Sequence, residues 1–310
     1  MEAGRRTTLR SDFLVHWTGA KDIEKEYKKG KSIVREDKTL SDEERKEKYK
    51  MLCKERRRKY VKRFHDTLEP IGLEDPRANG LWMTRMQEKI PLRKPRDRSL
   101  KYDVPVTCFT EIKLSDIRDH TMRYGCLGLG FSRSFVIRRF GAPVQYVAGT
   151  EDDIIAENLN HVYGVLGRLK SCCAHQELQK SGIIEHLKKS GVIDREINDI
   201  FEDLLESVKT NICFIKNMSE SDHLFSSLDE AEWRIPYTEI KANAGMLTLI
   251  KRGHRPESKI PFGPNDLKVL IFPDAKARQM ALEDCDIRKW LFKDPKYLPI
   301  IATVEECAQF

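Results

Sequence analysis

The sequence predicts an α+β fold with mixed, mostly antiparallel sheets. Short apolar runs of strand type fall into two clusters, and a largely helical stretch separates them. These runs do not alternate regularly with helices, as the strands of a doubly wound parallel sheet do. Hydrophobic residues make up 40% of the 310 residues, which is enough for a sizeable core. We therefore expect a single α+β domain over residues 1–310.

The N-terminal part predicts one strand and two helices. "DFLVHWTGA" (12–20) is a short apolar run typical of a strand, and a short helix is expected to end at Gly30. Residues 40–69 predict a long helix, because Ser41 and Glu44 have capping-box spacing and apolar residues recur at helical intervals. Between positions 41 and 66, eleven Lys or Arg stand against six Asp or Glu. This long helix is therefore basic and amphipathic.

The rest of the chain predicts an irregular region and then the two clusters of strands. Residues 70–104, rich in Pro and Gly, are expected to be irregular, and residues 151–208 to form a helical insertion. One short helix is expected to begin at Ser115, another to end at Gly141 and a third to begin at Asp274. The expected strands are 104–112, 125–133, 142–149, 212–218, 232–240, 246–252, 267–273 and 297–307.

Composition restricts the class of protein. The net charge is +7, with much of the excess in the long basic helix. The eight cysteines include no CxxC pair, so we expect buried, reduced thiols. No run reaches the roughly 20 apolar residues that a membrane span needs, and the N-terminus lacks the apolar segment of a signal peptide. We expect a cytoplasmic protein without membrane contact.

Common catalytic motifs are absent. The glycines of "GCLGLGF" (125–131) match neither GxGxxG nor a P-loop, and they are better explained by close backbone approach within a sheet. No histidines have HxxxH spacing, although His16, His120 and His223 could meet in space. No Ser or Cys stands in a GxSxG elbow. We therefore predict no metal site.

Two strand segments carry candidate site residues. His16 and Thr18 share one face of an otherwise apolar strand, where unpaired polar groups are costly to bury. In "EAEWRI" (230–235), Glu230 and Glu232 share a face with Arg234, their expected charge partner, while Trp233 points to the other face. The simpler interpretations are a satisfied core histidine and a solvated acidic strand edge. Together with Asp229, the two glutamates could instead hold a metal for phosphoryl transfer.

The basic helix is a second candidate site. Arg56, Arg57, Arg58 and Lys62 could contact nucleic acid or an acidic protein surface. The alternative is a solvated helix that packs through its apolar stripe alone.

The order of the motifs resembles the AbiGi family of bacterial abortive-infection proteins. The block "CFTEIKLSDIRDHTMRYGCLGLG" (108–130), the later "EAEWRIP" and the terminal "PIIATVEEC" follow that family's pattern. Lys113 stands where the family usually has Pro, and Ala231 where Arg is common. The resemblance implies a role in phage defence, and some members resemble the antitoxin half of a toxin–antitoxin pair. It thus implies a protein partner encoded in the same operon, a toxin or an antitoxin.

A second resemblance is to the mono-ADP-ribosyltransferase fold, with its split sheet. In such enzymes a His-x-Thr strand holds one ribose of NAD, an aromatic side chain stacks on nicotinamide, and a strand Glu stabilises the cationic transition state. The resemblance implies that His16, Thr18 and Arg234 bind NAD together with Phe109 or Tyr124. It further implies Glu232 as the catalytic carboxylate that stabilises this transition state, and Glu230 as its neighbour on the same face. NAD would be the substrate, and the acceptor would be a macromolecule.

Overall fold

The computed structural model describes residues 13–68, 80–91, 99–111, 117–147, 154–173, 197–217, 231–252 and 255–309, with positions 182, 186 and 189. The strands are β1 (Phe13–Thr18), β2 (Leu81–Trp82), β3 (Thr84–Pro91), β4 (Ser99–Thr110), β5 (Leu127–Ser132), β6 (Ala142–Pro143), β7 (Gln145–Val147), β8 (Ile215–Asn217), β9 (Glu232–Pro236), β10 (Thr248–Arg252), β11 (Arg255–Ile260), β12 (Leu267–Phe272) and β13 (Ile300–Thr303). The helices are α1 (Lys25–Glu36), α2 (Asp42–His65), α3 (Ile117–Tyr124), α4 (Arg133–Arg138), α5 (Ile154–Cys173), α6 (Ile197–Ile212), α7 (Glu239–Asn243), α8 (Ala275–Glu283), α9 (Cys285–Leu291) and α10 (Val304–Cys307). A π-helical turn (Ala20–Glu24) precedes α1, and a 3-10 turn (Pro295–Tyr297) precedes β13.

One large mixed sheet organises the described residues. Its strand order is β13-β12-β5-β1-β4-β9-β6, and β3 pairs with β4 beside this path. Only β12 and β13 run parallel among its pairs. Two small sheets accompany it, an antiparallel one of order β10-β11-β2 and the parallel pair β7-β8. The α+β class with mostly antiparallel sheets is thus confirmed.

Strand β4 lies at the centre of this architecture. Val106 pairs with Thr84 of β3 and Pro236 of β9, and Thr110 pairs with Val15 of β1 and Glu232 of β9. Strands β3 and β1 therefore follow one another along one edge of β4, while β9 occupies the other edge.

The prediction that residues 70–104 are irregular is wrong where the structure describes them. Strands β3 and β4 pair from Thr84↔Val106 to Pro91↔Ser99. Among the described strands β3 pairs only with β4, so no described strand is hydrogen-bonded to its other edge. Edge strands commonly carry charged and Pro residues, which hide the alternating pattern that sequence analysis seeks.

The large sheet has helices on both faces. The front face, which carries Leu14, Phe109 and Phe131, packs against α2, α8 and α9 in the main core. The back face has two smaller clusters. One joins Val15 and Trp17 to Ile117 of α3 and Cys307 of α10, and the other joins Val106 to Ile212 of α6.

The predicted long basic helix is confirmed as α2, a helix of 24 residues. The Glu44 amide donates to Ser41 Oγ at 3.3 Å, and the Ser41 amide donates to Glu44 Oε2 at 2.8 Å, completing the capping box. The preceding helix does not end at Gly30, because α1 continues to Glu36. An added Cβ at Gly30 would lie 2.8 Å from Leu52 Cδ2, so this glycine permits close packing of α1 on α2.

Helix α4 also ends differently from the prediction at Gly141. It ends at Arg138, and the residue in the left-handed region is Phe140, with φ of 54°. Gly141 has a packing role instead, because an added Cβ would lie 2.4 Å from Val136 Cγ1 and 2.8 Å from Ile235 Cγ1.

Most of the remaining helices and strands are of the predicted type, but their first and last residues often differ from the predicted bounds. Helices α5 and α6 occupy the expected helical stretch, and α6 extends past its predicted limit to Ile212. The expected C-terminal strand is β13 followed by α10, and strand β11 was missed because "RPESKI" lacks apolar alternation. Ser115 lies outside the described residues. Among the helices that are described, none has the length and apolarity needed to cross a membrane.

Candidate functional site

Three adjacent strands of the large sheet carry the predicted NAD-site residues. His16 lies on β1, Phe109 on β4, and Glu232 on β9. The register pairs Phe109 with Trp233 and Thr110 with Glu232 across β4 and β9. The sequence order His–aromatic–Glu is therefore also the spatial order of the strands.

The side chains of these residues nevertheless point to opposite faces. The His16 and Phe109 rings lie on the front face with centroids 5.8 Å apart. Glu232 pairs with Thr110, next to Phe109 in β4, so its side chain lies on the back face with that of Thr110. Arg234 also lies on the back face. The predicted catalytic and cofactor-binding residues do not converge in this structure.

His16 occupies a half-buried position. Its Nδ1 donates to the Cys108 carbonyl at 2.9 Å, which leaves Nε2 as the acceptor in the neutral ring. Burial lowers the pKa of His16, the hydrogen bond to Cys108 raises it, and nearby Arg63 lowers it further, with a net decrease. Arg63 also donates to Thr18 Oγ1 at 3.3 Å. His16 is therefore neutral at physiological pH.

The two aromatic candidates are placed apart. Phe109 is fully buried, in edge-to-face contact with Phe131, so its ring has no face open for stacking on nicotinamide. Tyr124 packs on the back-face cluster of Val15 and Trp17, where its ring stacks on His120.

Glu232 belongs to a buried charge cluster. Arg234 Nε donates to Glu232 Oε1 at 2.7 Å, and Lys216 Nζ donates to Glu232 Oε2 at 3.0 Å. Burial raises the pKa of Glu232, but the charges of Arg234 and Lys216 outweigh burial and lower it to about 2. Arg234 also donates to the Cys213 carbonyl at 2.7 Å, and the Glu232 amide donates to the Tyr146 hydroxyl at 3.1 Å. Glu230 lies outside the described residues.

The buried charge cluster of Glu232, Arg234 and Lys216 links β7, β8 and the end of α6 to the large sheet. Tyr146 and Lys216 are opposite one another in the β7–β8 pair, and both contact Glu232. Cys213 follows directly after α6. The expected pairing of Glu232 with Arg234 is confirmed, but both carboxylate oxygens are occupied within the fold.

The front face also carries a carboxylate, Glu111, that was not among the predicted site residues. Glu111 Oε1 accepts from Arg133 at 2.6 Å, and Glu111 Oε2 accepts from Trp233 Nε1 at 3.1 Å. Alternation along β4 was the available signal, because it places position 111 on the face of Phe109 and Trp233.

The four predicted contact residues of the basic helix α2 fall into two groups, two that form salt bridges within the fold and two that are exposed. Arg56 Nε donates to buried Glu24 at 2.7 Å, and Arg57 Nε donates to both carboxylate oxygens of Asp274, at 2.8 and 3.0 Å. Arg58 and Lys62 are exposed. The four predicted contact residues therefore do not form one surface, since two of them hold α2 within the fold.

One group among the described residues has the geometry of a metal site. His65, Asp284 and Asp286 place one ligand atom each within 4.8 Å of the others. However, Asp284 Oδ1 accepts from the amides of Asp286 and Ile287 as the cap of α9, and the group lies at the surface. Helix capping therefore accounts for the position of Asp284, and exposed acidic groups are common at protein surfaces.

Comparison with known proteins gives one family. A model described as "Putative abortive phage resistance protein AbiGi, antitoxin" matches residues 91–251. The chain belongs to the AbiGi family. No curated protein and no solved structure matches it. The AbiGi match includes Glu232 and Arg234, whereas His16 and the whole of α2 lie outside it.

Proposed function

We propose that this protein is the antitoxin of an abortive-infection pair and that it neutralises a toxin by direct contact, without catalysis. The AbiGi match, with its antitoxin description, carries the proposal. The geometry is consistent with it, because Glu232 is paired within the fold and separated from His16. The net charge of +7 favours an acidic partner.

Co-expression tests this proposal. The protein encoded by the adjacent gene is induced alone and together with this chain, and growth and co-purification are measured. We expect growth arrest by the neighbour alone, and its reversal with formation of a complex when both are present. A chain that neither binds the neighbour nor restores growth contradicts the proposal.

A second candidate function is nucleic-acid contact through α2. Lys54, Arg58 and Lys62 recur every four residues on its exposed face, and none has an ion pair with another described residue. We expect binding to duplex DNA or RNA that weakens steeply with salt. Reversing Arg58 and Lys62 to Glu reduces that binding, whereas the same change at exposed Lys293 and Lys296 does not. If the Arg58/Lys62 double variant binds nucleic acid as well as the Lys293/Lys296 double variant does, this contact is excluded.

An NAD-consuming activity with a split sheet is the remaining hypothesis. The adjacent order of β1, β4 and β9, which carry His16, Phe109 and Glu232, favours it. The burial of Phe109 and the position of Glu232 on the other face weigh against it. The test is release of nicotinamide from NAD by the purified protein in an infected-cell extract. No release, or equal release by wild type and Glu232→Gln, excludes Glu232 catalysis.

A further inference from the structure

The end of α4 exposes two large apolar side chains. Ile137 is 53% exposed and Phe140 is 59% exposed. They lie three residues apart, where the helix ends and the chain turns toward β6. Single exposed apolar residues are ordinary on protein surfaces, so exposure alone decides nothing here.

The backbone at Phe140 sets this position apart. With φ of 54°, Phe140 is one of two described non-glycine residues in the left-handed region, and the other is Ala231. A bulky residue is disfavoured there, and such outliers concentrate at functional sites. The turn is held by the Phe140 amide donating to the Ile137 carbonyl at 2.9 Å and the Gly141 amide donating to the Val136 carbonyl at 2.9 Å.

Folding requirements do not account for phenylalanine at position 140. The adjacent Gly141 is needed for close packing on Val136, as described above. Packing does not require phenylalanine at position 140, because its side chain is mostly exposed. Glycine would adopt the same backbone conformation without strain. The aromatic ring of Phe140 is therefore exposed although its backbone conformation is unfavourable. Binding of this ring by a partner protein would offset that unfavourable free energy.

The neighbouring residues indicate the kind of partner. The Arg138 side chain is 63% exposed and lies 3.9 Å from Asp266, a weak surface pair that a partner carboxylate can replace. Pro143 is exposed in the edge strand β6 and lacks an amide hydrogen, which disfavours pairing with an added strand. The surface therefore suits side-chain docking of an aromatic anchor beside an arginine, residue types enriched in interface cores.

Position in the chain and backbone conformation together favour this surface over other exposed apolar groups. Phe292, Leu298 and Ile300 are also exposed, but they lie outside the AbiGi match. The end of α4 lies within it. Met122, Val162, Leu204 and Leu249 are exposed inside the match, but none of them has the left-handed backbone of Phe140. A contact that serves the family's antitoxin role is expected inside the region that defines the family.

We propose that Ile137, Arg138 and Phe140 form the surface through which this protein docks on its toxin, an acidic protein whose apolar pocket receives the Phe140 ring. This inference rests on the proposed antitoxin function. It names the contact through which neutralisation occurs.

The test uses the full chain and the protein encoded by the adjacent gene. Phe140→Gly removes the ring and relieves the backbone, so we expect an unchanged or higher melting temperature with at least about tenfold weaker binding of that neighbour. Phe140→Asn, which also tolerates the left-handed region, gives the same loss. Arg138→Glu weakens binding through charge repulsion. Phe292→Ala, a change at an exposed phenylalanine outside the match, leaves binding unaltered.

The outcomes separate this inference from the proposed function. If wild type binds and neutralises the neighbour, and the Phe140 and Arg138 variants do so equally well, the antitoxin function stands and this surface is wrong. If wild type neither binds nor neutralises it, the antitoxin proposal fails and this inference fails with it. Loss of binding in folded Phe140 variants, with Phe292→Ala unaffected, supports the inference.

Discussion

Glu232 illustrates how much the role of a residue depends on its partners. A carboxylate with 5% of its surface exposed is costly to keep charged unless cations accompany it. Arg234 and Lys216 provide that compensation, and Arg234 also satisfies the Cys213 carbonyl. Removing one member of such a group leaves the others buried and unbalanced.

Glu232→Gln should therefore destabilise the protein at pH 7 by about 3–5 kcal/mol. Because the folded pKa of Glu232 is about 2 against an ordinary 4.5, its stabilisation of wild type is complete above pH 4.5 and is lost as the pH falls towards 2. That loss is about 3 kcal/mol, and the variant lacks this part of the pH dependence. Urea unfolding at pH 7 and pH 3 measures both effects. Exposed Glu239→Gln is the control, and equal stability of the two variants contradicts the prediction.

Lys241 is a buried cation without a carboxylate partner among the described contacts. It is 3% exposed, and its Nζ donates to the Pro236 carbonyl at 2.6 Å. Burial lowers the pKa of Lys241 to about 8, which an interaction with Cys213 only partly offsets. Keeping the lysine charged in the fold therefore costs stability at neutral pH.

Lys241→Met should stabilise the protein at pH 7 by about 1–3 kcal/mol. This is the free energy regained because no charge is buried, minus the contribution of the hydrogen bond that is lost. The unfolded chain binds more protons than the folded one between pH 8 and 10.5, so the stability of wild type rises with pH there. Denaturant midpoints at pH 7 and pH 10 should show the variant's advantage shrinking. A variant less stable than wild type at pH 7 contradicts this account, and exposed Lys276→Met should change little.

At the scale of elements, contact distances decide where the strands and helices can pack. Trp17 of β1 lies directly opposite Gly128 of β5, and the indole covers the glycine. An added Cβ at Gly128 would lie 2.6 Å from the Trp17 ring, and one at Gly130 would lie 2.9 Å from Val269 Cβ. The close-approach interpretation of "GCLGLGF" is thus confirmed for these two glycines.

Gly128→Ala should accordingly destabilise the protein by about 1–3 kcal/mol, because the Trp17 ring is buried and cannot move away without repacking. Gly164→Ala is the matched control in α5, where the only described atom that an added Cβ meets is in Arg168, at 3.8 Å. We expect that change to stabilise the protein by up to about 1 kcal/mol through helix propensity. Thermal unfolding of both variants tests the prediction, which fails if Gly128→Ala melts at or above wild type.

At the scale of the whole molecule, the fold joins distant parts of the chain. Strand β5 lies between β1 and β12, which belong to opposite ends of the sequence. The main core likewise unites Phe64 of α2 with Phe131 of β5 and Trp290 of α9. The AbiGi match at residues 91–251 contains β5 but neither of its neighbours.

A fragment of residues 91–251 should therefore not unfold cooperatively, because its β5 would lose both partner strands and the covering helices. Circular dichroism during heating is expected to show a single sharp transition for the full chain and none for the fragment. A fragment with a sharp transition of its own contradicts this expectation. The same measurement tests the prediction of one domain over residues 1–310.

Local signals made part of this structure predictable. Ser41 and Glu44 marked the start of α2, and the apolar runs at β1, β5 and β12 marked buried strands. Strands β3 and β11 were missed because polar and Pro residues interrupt their patterns. Helix ends at Gly30 and Gly141 were misjudged because both glycines serve contacts between elements, which no local pattern reveals.

The sequence by itself determined the α+β class, the long basic helix, the membership of the AbiGi family and the pairing of Glu232 with Arg234. The periodicity, the capping residues, the strand alternation and the order of motifs that indicate these features are all visible in the sequence without knowledge of tertiary contacts. Only the tertiary structure decided that His16 and Glu232 lie on opposite faces, that Arg56 and Arg57 form salt bridges within the fold, and that the Phe140 side chain is exposed. Strand register and helix docking set those relations, and they arise from packing between residues far apart in the chain.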